Sequence, residues 1–173
     1  MIDEPRIEQT GALKTAVIHL TIPRNRIQEE MGPGYNELMS TLKSQGIKPA
    51  GPWFSHHLRM DPAVFDFEIG VPVSGEVKAE GRVKPGQLPA SKVARTTYRG
   101  DYDGLAPAWG EFDAWLTQHG HAPIGDLWEV YTAGPETGND PSLYRTELNR
   151  PLQTDRFCLT TTSARTDGAS SKS

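Results

Sequence analysis

The chain has 173 residues, 36% of them apolar, which is enough for one domain with a hydrophobic core. Its net charge of −4, with no cluster of Lys and Arg, argues against a nucleic-acid-binding surface, and no apolar run approaches the roughly 20 residues of a membrane span. The single cysteine, Cys158, excludes an internal disulfide, so we expect a cytoplasmic protein that binds neither DNA nor a membrane directly.

The first half of the sequence predicts a strand, a helix and two further strands. The helical pattern is interrupted at Pro33, and because proline fits only the first turn of a helix, we expect the main helix to start there. Gly46 stands where this helix should end. The predicted elements are a strand at 14–22, a helix at 33–45 and strands at 53–58 and 64–73.

The second half repeats that order after a charged connection at 74–87. Gly120 ends its helix as Gly46 ends the first. Residues 153–173 are polar, rich in Ser and Thr and without periodicity, which predicts a disordered tail after a single domain of residues 1–152. The predicted elements of this half are a strand at 88–98, a helix at 104–118 and strands at 126–132 and 143–152.

The two halves also share residues at a constant separation of 74 positions. A duplicated unit usually packs against its copy about a pseudo-two-fold axis, and such a seam is a natural place for a ligand cleft. We therefore predict an α+β fold of two βαββ copies, at about 14–73 and 88–152, with antiparallel sheets, two main helices and a central cleft. The matched pairs are Gly46 and Gly120, Pro49 and Pro123, Gly51 and Gly125, Tyr35 and Trp109, Leu38 and Phe112, and Leu42 and Leu116.

Alternation along the strands places the candidate ligand-binding residues at this seam. Glu129 and Tyr131 share one face of their strand, and Trp53, Ser55 and His57 share one face of the matching strand. A carboxylate among aromatic rings suits a lipophilic cation, through Coulomb attraction and cation–π contacts. Partial burial would also raise the pKa of Glu129. The alternative is that Glu129 lies on a solvated face of the sheet.

Other reactive residue types indicate no cofactor, no metal and no nucleophile. His56 and His57 are neighbours on a strand, so they face opposite sides and cannot bind one ion together. Cys158 has no partner base nearby in the sequence. Trp109 belongs to the apolar stripe of its helix and is expected in the core, and Trp128 alternates away from Glu129 and is expected beneath a helix.

Four segments together resemble a known family. They are 67–73 (FEIGVPV), 99–105 (RGDYDGL), 127–131 (LWEVY) and 144–148 (YRTEL), the last followed by Pro151 and Leu152. The sequence resembles, over about residues 5–152, the GyrI-like small-molecule-binding domain that is attached to AraC-type and multidrug-responsive transcription regulators. The resemblance implies a pseudo-symmetric pair of modules around a cleft for lipophilic, often cationic compounds. The family's pocket carboxylate falls on Glu129.

The resemblance leaves three functions open. Regulators of this family also have a helix-turn-helix domain, and the few residues before Lys14 leave no room for one. We therefore expect a stand-alone module that senses or sequesters a lipophilic, cationic molecule. Similar stand-alone members hydrolyse cyclopropane-containing toxic natural products, a reaction in which Glu129 would be the general base. The founding member is similar in fold and inhibits DNA gyrase, which leaves a protein partner as the further alternative.

Overall fold

The computed structural model describes residues 2–138 and 140–153, which form one eight-stranded antiparallel sheet and two long helices. The predicted α+β architecture is confirmed, with all strands in a single sheet. Except for Gln153, the predicted disordered tail lies outside the described residues, as does Cys158. The strands are β1 (Arg6–Gln9), β2 (Leu13–Pro23), β3 (Phe54–Met60), β4 (Val64–Pro72), β5 (Val83–Leu88), β6 (Lys92–Arg99), β7 (Leu127–Ala133) and β8 (Arg145–Pro151), and the helices are α1 (Ile27–Ser44) and α2 (Leu105–Gln118).

The strand order repeats about the centre of the sheet. The order is β1-β6-β8-β7-β3-β4-β2-β5, and β3 and β7 form the central pair. Outward from the centre, the first unit continues with β4 and then β2, and the second continues with β8 and then β6. Two βαββ units are therefore related by a pseudo-two-fold axis between β3 and β7. The edge strands are exchanged between the units, since β1 pairs with β6 and β5 pairs with β2.

Both edge strands differ from the sequence prediction. β1 lies in the segment before the first predicted strand, and all of β5 except Leu88 lies within the predicted connection at 74–87. β5 ends at Leu88, where a strand was predicted to begin, and β6 begins only at Lys92. Pro85 and Gly86 lower the strand propensity of β5, and a proline is tolerated there because the strand is at the edge of the sheet. Pairing with a distant strand decides the structure of these two segments.

Helix α1 runs through Pro33, so the predicted start at this proline is wrong. Proline removes one backbone N–H from the helix ladder. Met31 before it and Leu38 after it pack on the same core, which holds both parts of the helix against the sheet. Gly34 permits a close approach, because a Cβ at this position would lie 2.5 Å from Cδ1 of Ile69. Tertiary packing thus overrides the local signal.

Both helices end at the predicted glycines. Gly46 and Gly120 have φ angles of 69° and 70°, a left-handed conformation that glycine adopts without steric cost. After α1, the N–H of Ile47 donates to the carbonyl of Leu42 at 2.9 Å, and the matching bond after α2 is 3.0 Å. The repeat in the sequence therefore reports equivalent helix ends. Neither of the two described helices is long and apolar enough to span a membrane.

The two helices cover the same face of the sheet as Glu129, and the opposite face has a core of its own. Trp128 lies in this second core with Phe54, although the sequence predicted it beneath a helix. The same cluster contains Leu88 of β5 and Val93 of β6, strands from opposite ends of the sheet. The sheet must therefore curve around this core. The physical reason is the alternation along β7, which points Trp128 to the face opposite Glu129. Because both helices lie on the face of Glu129, Trp128 points away from them.

Candidate functional site

A cavity of about 930 Å³ lies between α1 and α2 above the central strands. Its floor includes Trp53 and His57 at β3, and Leu127, Glu129 and Tyr131 of β7. Its walls are formed by the first turns of α1, by α2, and by the segment that precedes α2. Four of the five candidate residues thus line one cavity at the seam. The fifth, Ser55, is fully buried beneath it.

The carboxylate of Glu129 is at the centre of the floor. Its residue is 8% exposed. The indole Nε1–H of Trp109 donates to Oε1 at 2.7 Å, and the hydroxyl of Tyr131 donates to Oε2 at 2.9 Å. Both donors are neutral, and none of the ion pairs among residues 2–138 and 140–153 includes Glu129. The site therefore presents a negative group that has hydrogen bonds but no counter-charge.

Burial raises the pKa of Glu129 above its usual value, because desolvation disfavours the ionised form. The hydrogen bonds from Trp109 and Tyr131 act in the opposite direction and do not cancel the effect of burial. A positive charge placed beside Glu129 would favour the ionised form and lower this pKa. The solvated alternative considered from the sequence does not describe this carboxylate.

A chain of hydrogen bonds leads from Glu129 to the first unit. The hydroxyl of Tyr131 donates to Glu129, and the oxygen of this hydroxyl lies 2.8 Å from Oγ of Ser55. Oγ of Ser55 is in turn 3.4 Å from Nε2 of His57. Because the Tyr131 proton points to Glu129, Ser55 must donate to Tyr131 and can accept from His57. Burial raises the pKa of Tyr131 well above its usual value, and the negative charge of Glu129 adds to this shift. The hydroxyl of Tyr131 therefore keeps its proton.

Aromatic rings line the end of the cavity near Tyr131. Trp53 lies between Tyr35 and Tyr131, with centroid distances of 4.8 and 4.6 Å. Tyr102 contacts Tyr131 edge-on at 5.9 Å and Tyr144 at 5.5 Å. Such rings bury a large apolar area and offer negative π faces to a cation. The carboxylate of Glu129 therefore lies in a cavity lined by aromatic rings.

His57 is neutral at physiological pH. Burial lowers its pKa to about 4, and Coulomb interactions with His56 and Arg24 contribute in the same direction. Its ring stacks on Phe67 with centroids 5.1 Å apart. His56 lies on the opposite face of the sheet, where its Nε2 is 2.8 Å from Oδ2 of Asp126. The two neighbouring histidines therefore face different environments, as the alternation predicts.

Sequence reasoning assigned Trp109 to the core, but its indole also reaches the cavity and holds Glu129. The repeat contained the missing signal. Trp109 is equivalent to Tyr35, and both residues point from their helices towards the seam, where Tyr35 contacts Trp53. Arg24, which also lines the cavity, has no comparable signal because it lies outside the repeated positions.

The family model for the GyrI-like small molecule binding domain matches residues 3–153. Comparison with curated protein sequences finds no match. Among solved structures, the C-terminal domain of EcmrR is similar with a TM-score of 0.76 and 17% identity, over 87% of this chain and 97% of that one. In the complex of EcmrR with DNA the TM-score is 0.74 with 18% identity, and the match spans 87% of this chain but only 57% of the EcmrR chain.

Two further structures share the fold at lower similarity. SAV2435 bound to tetraphenylphosphonium has a TM-score of 0.62 and 15% identity, over 87% of this chain and 94% of that one. A hydrolase from Listeria innocua has a TM-score of 0.62 and 12% identity, over 87% and 92% of the two chains. At these identities the structural neighbours establish a common fold.

Proposed function

Since the chain belongs to the GyrI-like family of small-molecule-binding domains, we propose that its cavity binds a lipophilic cation with Glu129 as the counter-charge. The observation that supports this proposal is a buried carboxylate that has two neutral hydrogen-bond donors, faces an aromatic cavity and forms no ion pair among the described residues. We propose that the five candidate residues act together, with Trp53 and Tyr131 as ring contacts and Ser55 and His57 as support for the hydrogen-bond chain.

The energetics favour a bulky organic cation over a small inorganic one. Two opposite unit charges about 4 Å apart attract by about 4 kcal/mol at an effective dielectric constant of about 20. A compact, strongly hydrated cation would lose its water shell to reach Glu129, and that loss would offset the attraction. A cation surrounded by apolar groups loses less hydration and gains contact with the rings of Trp53 and Tyr131.

The comparisons support the same ligand class without identifying the ligand. One protein of the same fold has been solved with tetraphenylphosphonium, and another, EcmrR, has been solved in a complex with DNA. We propose that this chain senses or sequesters such a molecule in the cytoplasm. The further alternative, a gyrase-inhibitor-like interaction with a protein partner, stays a prediction, because the cavity has no feature that requires it.

Tetraphenylphosphonium is a suitable probe, with triphenylphosphine oxide as a neutral control of similar shape. We expect saturable quenching of tryptophan fluorescence by the cation, because Trp53 and Trp109 line the cavity. Glu129→Gln should weaken cation binding about tenfold to a hundredfold and leave the weak binding of the neutral control unchanged. Glu111→Gln, on the exposed side of α2, removes the same charge away from the cavity and should have no effect. Equal affinities for wild type and Glu129→Gln would exclude Glu129 as the counter-charge.

Hydrolysis is the second candidate, and the raised pKa of Glu129 is the observation that favours it. A general base works best when its pKa lies near the operating pH, and Glu129 shifts in that direction. Glu129 would remove a proton from water while the water oxygen attacks a strained cyclopropane carbon, and the proton would end on the released carbon or its conjugated oxygen. Mass spectrometry of such a substrate after incubation should show a product heavier by one water, which Glu129→Gln should not form. Recovery of unchanged substrate after incubation with many equivalents of protein would exclude hydrolysis and leave binding as the function.

A further inference from the structure

The cavity has a second charged end, formed by Arg24. The Nε–H of Arg24 donates to the carbonyl of Asp61 at 2.7 Å, and its guanidinium carbon lies 4.5 Å from the centroid of the Phe65 ring. The carboxylate of Asp61 accepts from the N–H of Ala63 at 2.8 Å and pairs with Arg59 at 3.7 Å, and it acts on Arg24 through its charge without a direct ion pair. Among the described residues, the terminal nitrogens of Arg24 form neither a hydrogen bond nor an ion pair. They are free to donate to a molecule in the cavity.

Arg150 lines the same cavity and also has donor capacity to spare. Its side chain is only 14% exposed, and its Nε is buried without a hydrogen-bond partner among the described residues. The nearest carboxylate oxygen, Oδ1 of Asp113, is 4.0 Å away, which is too far for a hydrogen bond. Asp113 is half exposed, so water screens its charge. A buried donor without an acceptor is unfavourable, and an acceptor on a ligand that drew the Arg150 guanidinium towards the cavity would relieve that cost.

Along the strand direction both arginines are displaced from Glu129 towards the same end of the sheet, whereas across the sheet they flank it, with Arg150 in β8 and Arg24 over Phe65 of β4. On one side of β7, Leu127, which is two residues from Glu129, pairs with His57 of β3. On the other side, Asn149 of β8 pairs with Trp128, so the next residue of β8, Arg150, lies beside Leu127. Two residues along a strand span about 7 Å. Arg24 is farther in the same direction, because it lies over the ring of Phe65. Phe65 is two residues beyond Phe67, the partner of His57, on the side away from Ser55. The carboxylate and the arginines therefore occupy different parts of one cavity.

We propose that the ligand is dipolar, with a cationic group at Glu129 and an anionic acceptor such as a carboxylate, about 7 Å or more away, held by Arg24 and Arg150. This inference rests on the proposed function and adds the chemical class of the ligand. Arginine is suited to the second role because its planar fork of donors matches a carboxylate. The unpaired carboxylate and the unpaired arginine donors then have one common explanation.

Rhodamine B and its ethyl ester form a matched pair of probes. Both contain the same delocalised cation, but at neutral pH the free acid also has a carboxylate that the ester lacks. We expect wild-type protein to bind rhodamine B about tenfold more tightly than the ester, measured by fluorescence anisotropy at low ionic strength. Arg24→Met and Arg150→Met should each remove most of this preference and change the affinity for the ester less than about twofold. Arg26→Met is the matched control, since Arg26 is exposed, pairs with Glu29 and Glu30, and does not line the cavity.

The outcomes separate this inference from the proposed function. Equal affinity of wild type for the two dyes, or an equal loss for both dyes in Arg24→Met, would overturn the dipolar ligand and leave cation binding intact. Binding of tetraphenylphosphonium without binding of either dye would also count against it. Failure of all three cations to bind would overturn the proposed function, and the dipolar ligand with it. The Arg24 variant decides the question if Arg150→Met does not fold, as judged by circular dichroism.

Discussion

Ser55 and Glu129 lie directly opposite each other where β3 pairs with β7, and they also occupy equivalent positions of the two repeats, 74 residues apart. A residue that pairs with its own equivalent lies on the pseudo-two-fold axis, so the axis passes between these two side chains. The backbone is symmetric at this point and the chemistry is not. The hydroxyl of Tyr131 connects the two, as it contacts Oγ of Ser55 and donates to Glu129.

Binding of a cation should release protons. Burial raises the pKa of Glu129 in the free protein, and a neighbouring positive charge should lower it, so protonated Glu129 loses its proton when the cation binds. The affinity for tetraphenylphosphonium should therefore rise with pH until Glu129 is fully ionised in the free protein. Calorimetry in buffers of different ionisation enthalpy measures the protons released. Release should be absent in Glu129→Gln, and proton uptake by wild type would contradict the assignment.

Removal of the charge at position 129 should stabilise the free protein. The folded-state pKa of Glu129 is raised, so the folded protein binds this proton more tightly than the unfolded chain does, and the stability contributed by this group falls as pH rises above its unfolded pKa. Glu129→Gln has no carboxylate to ionise, so the variant does not lose this stability at neutral pH. We expect its thermal midpoint to rise by about 2–4 °C at neutral pH, with a smaller gain in acid. A lower midpoint at neutral pH would show that the burial cost is already compensated.

Tyr131→Phe tests the hydrogen-bond chain. The variant removes a bond that favours the ionised form of Glu129 and leaves the hydroxyl of Ser55 without its acceptor. We expect the free energy of unfolding to fall by about 1–3 kcal/mol and the pH profile of cation binding to move to higher pH. In the double variant with Ser55→Ala, part of the stability should return, because no hydroxyl is left unpaired. A pH profile identical to that of wild type would show that the hydroxyl of Tyr131 does not affect the pKa of Glu129.

His57 should make the protein sensitive to acid. Its pKa is lowered to about 4 from the ordinary value of 6.5, so the unfolded chain takes up this proton before the folded protein does. Its contribution to stability is therefore complete above pH 6.5 and falls as pH drops towards 4, by up to about 3 kcal/mol. Urea unfolding at several pH values should show a shallower decline for His57→Gln than for wild type. An unchanged slope in His57→Gln would refute the assignment.

The repeat made much of the architecture predictable. The left-handed glycines after both helices, the antiparallel α+β fold and the face shared by Glu129 and Tyr131 all follow from spacing and alternation. The edge strands and the course of α1 through Pro33 did not follow, because they depend on pairing and packing with distant residues. The binding roles of the five candidate residues stay predictions until a ligand is tested.

The amino-acid sequence by itself determined the periodicities, and through them the two equivalent units and the carboxylate that breaks their symmetry. Only the tertiary structure decided what surrounds that carboxylate. Trp109 comes from helix α2, Arg24 follows the end of β2, and Arg150 lies near the end of β8, so none of the three belongs to the local pattern of β7. Spacing reports on neighbours within one element, whereas burial, hydrogen-bond partners and the pKa of Glu129 depend on the elements that the fold brings to the seam.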